Sequence, residues 1–271
     1  MDMLVKLPYR DKDFSLSHSL DTVPDPAHFK MHTHTTTEIY YLLKGQGVFH
    51  IEGNEYPLES GDLLIMKPSE SHYIDLDCSY PYERIVLNLN TEYLRQIDPE
   101  GYLLRPILDR KPGKRNLYRS HEFRTGSCSH YFENMFSTIG NPRINILSAL
   151  LPLLNEVYCV YISREEDTDD SMDPLPHRII RYINKNLAGP IHLEDICQNF
   201  YISKSQLCRL FKGATGTTVW QYITIKRLVK ARQLIAAGEN ATHIYSQCGF
   251  SDYSSFYRAY IKHFRCAPSK E

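Results

Sequence analysis

Two nine-residue segments near the C-terminus carry the same arrangement of chemical groups. Ser203-Lys204-Ser205-Gln206-Leu207-Cys208-Arg209-Leu210-Phe211 and Asp252-Tyr253-Ser254-Ser255-Phe256-Tyr257-Arg258-Ala259-Tyr260 lie 49 residues apart. Each opens on a residue whose side-chain oxygen can accept from the free amides of a helix's first turn. Each then places a large apolar residue fifth, Arg seventh and an aromatic ninth. A guanidinium on the outer face of such a helix can donate two hydrogen bonds to one guanine edge. Arg209 and Arg258 are therefore the first candidates for base contact. The competing reading pairs either one with a phosphate, or with a carboxylate inside the fold.

Those side chains need a scaffold, and the flanking sequence supplies one twice. Leu193, Ile196, Cys197 and Phe200 fall on one face of a short helix ahead of the first segment. Thr242 to Cys248 precedes the second, followed by Gly249, which suits the left-handed stop of a helix, and by Phe250, placed to fill the core between two helices. Helix, tight turn and capped helix is the helix-turn-helix pattern, whose second helix enters the major groove. With Leu207, Leu210 and Phe211 inward, the first copy offers Ser203, Lys204, Ser205, Gln206, Cys208, Arg209 and Lys212 to DNA. With Phe256 and Tyr260 inward, the second offers Tyr253, Ser254, Ser255, Arg258 and Lys262. Between them, Thr217 to Gly238 reads as one helix of about 30 Å, close to the ~34 Å separating successive major-groove faces. Lys226 and Arg227, with Lys230 and Arg232, are phosphate candidates on this rod.

Charge agrees with a polyanionic partner. The net charge of -1 conceals +9 over residues 174–271 and -10 over residues 1–173, and a basic end on an acidic body favours such a partner. The seven cysteines are scattered without a C-x-x-C pair, as reduced thiols in a cytoplasmic protein would be. No apolar run approaches the roughly 20 residues of a membrane span, and the start MDMLVKLPYRDKDF lacks the basic and apolar regions of a signal peptide.

Residues from about Pro174 to Lys270 resemble the DNA-binding domain of the AraC/XylS family. The shared features are Leu193…Ile196-Cys197, Ser203-x3-Leu207-x-Arg209-Leu210-Phe211-Lys212-x3-Gly216, and Ile244-x4-Gly249-Phe250-x-Asp252-x3-Phe256-x-Arg258…Pro268. Cys197 and Tyr245 stand where the family usually has Ala, Ile261 where it has Lys, and Arg265 where it has Gly. The resemblance implies a bacterial regulator that binds double-stranded promoter DNA, usually to activate, with RNA polymerase as a further partner.

The first ninety residues read differently. Residues 38–43, 47–52, 62–66 and 84–89 are short, rich in Ile, Val, Leu and aromatics, and separated by turn signals, the pattern of a barrel or sandwich. From about Ser129 to Ile162 apolar residues recur at helical spacing. Asn141-Pro142 divides two helices, and Pro152 is expected to kink the second. That apolar face is wide enough to suggest a homodimer seam; the alternative is that it caps the barrel. Ser163 to Asp173 is acidic and without apolar pattern, as a linker is. The expected fold is α+β and multidomain. A cupin-like barrel with a helical dimerisation segment spans residues 1–162, an acidic linker 163–173, and an all-α domain with two helix-turn-helix units joined by a long helix 174–271.

His32-x-His34-x3-Glu38-x6-Gly45 with Gly61-x6-Pro68-x3-His72 resembles the two motifs of the cupin barrel. The resemblance implies that His32, His34, Glu38 and His72 could hold a divalent metal, and imidazole with carboxylate suits Zn, Fe, Ni or Mn. The same resemblance allows a barrel that requires no cofactor. Its mouth would hold a small effector such as a sugar, lined by His32, His34, Glu38, Tyr40, His72, Arg84 and Asn88. Three functions follow: an effector-responsive DNA-binding regulator that is not an enzyme, a metal-binding cupin sensor or enzyme fused to a DNA-binding domain, and a constitutive binder with a barrel that only dimerises.

Overall fold

Among the described residues, the turn signals between the apolar runs divide the first half into nine strands. The computed structural model describes residues 3–164 and 173–270. The strands are β1 (Met3–Arg10), β2 (Phe14–Asp21), β3 (Thr37–Lys44), β4 (Gly47–Ile51), β5 (Asn54–Leu58), β6 (Leu63–Met66), β7 (His72–Leu76), β8 (Tyr82–Leu89) and β9 (Leu117–Tyr118). They form a six-stranded sheet in the order β1-β2-β8-β3-β6-β9 and a three-stranded sheet β5-β4-β7, with antiparallel pairing throughout. Successive side chains of a strand point to opposite faces, and β3 uses both. Tyr40 and Leu42 join Phe49, Ile51, Leu64, Met66, Ile74 and Tyr82 in the core between the sheets. Ile39 and Tyr41 turn to the other side, into a core closed by helices.

Those helices are α1 (Thr91–Ile97), α2 (Arg105–Leu108), α3 (Ser129–Met135) and α4 (Pro142–Ser163). Phe132, Met135, Ile146, Leu150, Leu154 and Val157 are buried on the outer face of the large sheet, so capping the barrel accounts for most of the apolar face. By length and composition α4 is apolar enough to cross a membrane, which counting along the sequence had missed. In the fold its apolar side lies on the sheet. Helix α4 runs through Pro152 as one element. Pro152 and Ser148 are both exposed, so the carbonyl that the proline leaves without a donor faces water.

The second half is helical: α5 (Leu175–Lys185), α6 (Leu193–Phe200), α7 (Lys204–Thr215), α8 (Val219–Ala236), α9 (Ala241–Gln247) and α10 (Tyr253–Phe264). It has two cores, and α8 belongs to both. Val219, Tyr222 and Ile223 pack with Ile179, Ile183, Ile196, Leu207 and Phe211. Leu228 and Ala231 pack with Ile244, Cys248, Phe256 and Tyr260. The 18 residues of α8 make a rod of about 27 Å. Residues 165–172 of the expected linker lie outside the described residues. Its described ends are tied down: Arg164 pairs with Glu122 at 2.6 Å, and Asp173 pairs with Lys114 at 3.0 Å and with Arg181.

Candidate nucleic-acid interface and sensor site

The first recognition helix, α7, begins with a reciprocal cap. Ser203 Oγ accepts from the Gln206 amide at 3.2 Å, and Gln206 Oε1 accepts from the Ser203 amide at 3.0 Å, which satisfies two donors at the helix start. The second, α10, is capped by Asp252, whose carboxylate accepts from the Ser255 amide at 2.8 Å. Leu207, Phe211, Phe256 and Tyr260 are buried. Leu210, expected inward, is only half-buried. Ser203, Lys204, Ser205, Gln206, Cys208, Arg209 and Lys212 are exposed, as are Ser254, Arg258 and Lys262; Tyr253 and Ser255 are half-buried. Arg258 Nε donates back to the Ser254 carbonyl at 3.3 Å, a contact weak enough to exchange for a base.

Two rod residues are placed otherwise than the sequence suggests. Lys226 Nζ lies 2.6 Å from Glu52 Oε1 and donates to the Ser69 carbonyl; the residue is 7% exposed. Arg227 donates to the carbonyls of Leu187 at 2.9 Å and Gly189 at 2.6 Å. Lys226 is closed to phosphate in this arrangement, because the barrel covers its face of α8, whereas Arg227 is half-buried and directs two of its donors to the α5–α6 connection. Lys230 donates to the Gln247 carbonyl at 3.3 Å, and the Arg232 guanidinium lies 4.6 Å from the centre of the Phe264 ring.

In the barrel, a short antiparallel bridge brings distant residues together. The His32 amide donates to the His72 carbonyl at 3.0 Å, and the His72 amide to the His32 carbonyl at 2.9 Å. Ring centres of His32 and His72 are 4.4 Å apart, and His34 lies 5.0 and 5.3 Å from them. His34 Nε2 bonds Glu38 Oε2 at 2.7 Å, with His72 Nε2 3.7 Å from the same oxygen. One donor atom from each of the four residues fits within 4.8 Å of the others. Nδ1 of His32 lies 2.8 Å from the Lys30 carbonyl, and Nδ1 of His72 lies 3.0 Å from the Glu70 carbonyl. A carbonyl only accepts, so both Nδ1 atoms carry a proton, and in the neutral ring each Nε2 keeps its lone pair. That orientation by an outer partner is how metal-ligating imidazoles are held. His72 Nε2 is buried without a hydrogen-bond partner. An unpaired buried acceptor of this kind is what a metal ion would satisfy, so the four residues fit one.

Burial and mutual contacts set their charges. Burial pushes the Glu38 carboxyl upward, but the His34 and His72 rings hold it well below the usual range, as an anion. Burial opposes the charge of His34, and the bond to Glu38 outweighs it and raises its pKa. Burial and the neighbouring His72 hold His32 down to about 4.

Of the other expected effector residues, Asn88 and His34 line a cavity of about 360 Å³ with Thr33, Thr36, Arg232 and Phe264. Tyr40 does not line it: its hydroxyl bonds that of Tyr82 at 2.8 Å inside the barrel core, where burial raises Tyr40 well above its ordinary value and Tyr82 up to about 12. Arg84 is paired with Asp21 and lies over the Tyr82 ring. Large aromatics fill the barrel interior, and this cavity is one of several between the two domains, another of which measures about 470 Å³.

Several residues were missed in the sequence: Thr33, Thr36 and Phe264 at the cavity, and Glu52 with its partners Tyr222 and Asn184 between the domains. Glu52 sits with Gly53 in the two-residue turn joining β4 to β5, at φ values of 48° and 84°. Such turns favour Asn, Asp or Gly at both places. A Glu there was the available signal.

A model described as an AraC-like ligand binding domain matches residues 21–151, and one described as a helix-turn-helix domain matches residues 196–271. The chain is 21% identical to the Msm operon regulatory protein of Streptococcus mutans, over 86% of this chain and 82% of that one. It is 24% identical to the HTH-type transcriptional activator RhaR of Mannheimia succiniciproducens, over 89% and 86%. It is 25% identical to the HTH-type transcriptional activator RhaS of Escherichia fergusonii, over 89% and 86%. A ligand-binding barrel, two helix-turn-helix units on one rod and these relatives agree: the chain joins an AraC-like ligand-binding domain to a helix-turn-helix domain and has the make-up of an AraC-type transcription regulator.

Proposed function

We propose that this regulator is a cytoplasmic, homodimeric activator that reads two successive major-groove faces of a promoter and responds to a small carbohydrate. The observation that carries the DNA reading is Arg209, exposed on a capped helix, with its counterpart Arg258 on a second helix cored onto the same rod. Relatives named as activators support the sign of regulation and a further contact with RNA polymerase. Ile139 and Ile144, 83% and 60% exposed beside the capping helices, support a dimer seam there.

The effector site is the interdomain cavity of about 360 Å³ beside His34. Thr33, Thr36, His34 and Asn88 offer hydroxyl, imidazole and amide groups, and Phe264 offers an aromatic wall, the lining that suits a polyhydroxylated ligand. Because its walls come from both domains, a ligand there binds one arrangement of the domains better than others, which is the requirement for a ligand to shift an equilibrium. Genome-wide mapping of bound sites, followed by footprinting with Arg209→Ala and Arg258→Ala, tests the DNA reading. Unchanged base preference in both variants would refute it. Thermal-shift screening with sugars tests the effector, since a ligand of the folded state raises the midpoint; no shift with any sugar class would remove it.

A second reading has its own observation. The His72 nitrogen left unpaired beside His32, His34 and Glu38 supports a divalent metal as part of the sensor. Bound there, the ion would supply positive charge and a Lewis-acidic centre, and the four side chains would hold it.

A further inference from the structure

The loop that presents His72 to the three-histidine site also builds the joint between the two domains. Glu52, at the tip of the β4–β5 turn, is the centre of that joint. Its Oε1 accepts from the Ser71 amide at 2.7 Å, from Ser71 Oγ at 3.0 Å and from Lys226 Nζ at 2.6 Å. Its Oε2 accepts from Tyr222 OH at 2.6 Å and Asn184 Nδ2 at 2.9 Å. The side chains of Glu52 and Lys226 are 1% and 8% exposed. Three of the five donors, from Lys226, Tyr222 and Asn184, belong to the helical domain, and two of them stand on the rod α8.

The segment 67–72 touches both ends of this system. His72 is one member of the metal-fitting cluster. The Ser69 amide donates to the His34 carbonyl at 2.8 Å, and the Ser69 carbonyl accepts from Lys226. Ser71 holds Glu52 with two hydrogen bonds. Glu70, between them, is fixed by two bonds to Arg110 at 2.6 and 2.7 Å, so the loop is built as one rigid block. Two donors bound tetrahedrally to one ion at about 2.0–2.1 Å stand about 3.4 Å apart; His72 Nε2 and Glu38 Oε2 are 3.7 Å apart, so an ion between them fixes the position of His72 and its loop with only a small adjustment.

We infer that a divalent transition-metal ion held by His32, His34, Glu38 and His72 tightens the Glu52–Lys226–Tyr222–Asn184 latch through the loop 67–72, and so sets how firmly the DNA-reading rod is held on the barrel. This rests on the metal reading above. Metal and latch both bear on this one block, so fixing its position at one end improves the fit at the other, which is positive coupling. Coupling of binding free energies is reciprocal, so loosening the latch must weaken the metal by the same factor.

The test uses the full chain, with Zn²⁺ as probe. Zinc affinity is measured by chelator competition in the wild type, in Glu52→Gln/Lys226→Met and in His72→Ala. The double variant leaves no unpaired charge at the latch and alters no metal-fitting residue. The expected result is one zinc per wild-type chain, none in His72→Ala, and about fivefold or weaker binding in the double variant. Amide exchange in the wild type alone, with and without zinc, is expected to slow over Tyr222–Lys226, and this needs no variant to fold. Equal zinc affinity with unchanged exchange would overturn the coupling and leave the metal reading standing. Absence of zinc binding to the folded wild type would overturn both.

Discussion

The two helix-turn-helix units have matching sequences and different surroundings. The first is pressed against the barrel: the Tyr73 hydroxyl donates to the Gly213 carbonyl at 3.3 Å, a Cβ on Gly216 would stand 3.2 Å from the Tyr73 ring, and Glu52 grips Tyr222 and Lys226. The second unit faces the barrel across the cavity of about 360 Å³, which Arg232 and Phe264 line from its side. The tight turns differ as well. Tyr201 ends α6 at a φ of 54° while 96% exposed. Gly249 follows α9 at a φ of 86°, and a Cβ there would stand 2.3 Å from the Leu187 carbonyl oxygen and 2.7 Å from the Arg227 guanidinium. A repeat in sequence is therefore no repeat in mechanics: one unit is anchored to the sensor and the other to the rod.

The largest expected effect breaks the anchor of the first unit. Glu52→Ala leaves Lys226 buried and unpaired, at an expected cost of about 3–5 kcal/mol in denaturant unfolding. The carboxylate also gives the joint an acid limit. Burial raises its pKa, but Lys226 and Tyr222 bring it below its ordinary 4.5. A folded-state pKa below the unfolded one makes a contribution complete above that ordinary value and lost as pH falls through the folded one, so interdomain cross-linking is expected to decline only on the acid side.

Next is the turn of the second unit. Gly249→Ala combines left-handed backbone with overlap of a backbone oxygen, about 2–4 kcal/mol of destabilisation. Loss of cooperative unfolding in the second core, with the first intact by amide exchange, would sharpen the distinction between the units. A neutral result would erase it.

Smaller effects fall on DNA. Arg209→Ala and Arg258→Ala are each expected to cost about 1–3 kcal/mol and to relax one base position, in different half-sites. Lys212→Met and Lys262→Met should each reduce the salt slope of binding by about 1, whereas Lys226→Met should leave it unchanged, since Glu52 already neutralises that charge. A reduced slope for Lys226→Met would mean that the latch opens on DNA.

The smallest effect relieves strain. Tyr201→Gly and Arg265→Gly, both at positive φ, are expected to stabilise by about 0.5–1 kcal/mol. If Tyr201→Gly instead weakens DNA binding without changing stability, its exposed ring has a role in the complex.

Much of this was legible along the chain. The four apolar runs of the first half became β3, β4, β6 and β8, and the recognition helices begin at Ser203 and Asp252 because capping is local chemistry. The four metal-fitting residues could be named, since their spacing is a linear pattern. Their placement could not: His32 and His72 meet only through a bridge closed across 40 residues. Tyr40 and Arg84 were read as cavity residues because polarity along a strand does not say which partner waits opposite. Lys226 was read as a phosphate contact because a lysine on a basic helix is ordinarily solvated, and nothing nearby in sequence announces Glu52, 174 residues away.

The sequence by itself determined the elements, the duplicated reading helices and the chemistry they offer, because periodicity, caps and charge act over a few residues. Only tertiary structure decided which charges remain available to DNA, where the open cavity lies and what joins sensor to rod. Those outcomes depend on which distant groups leave water together, and desolvation is a property of the packed whole.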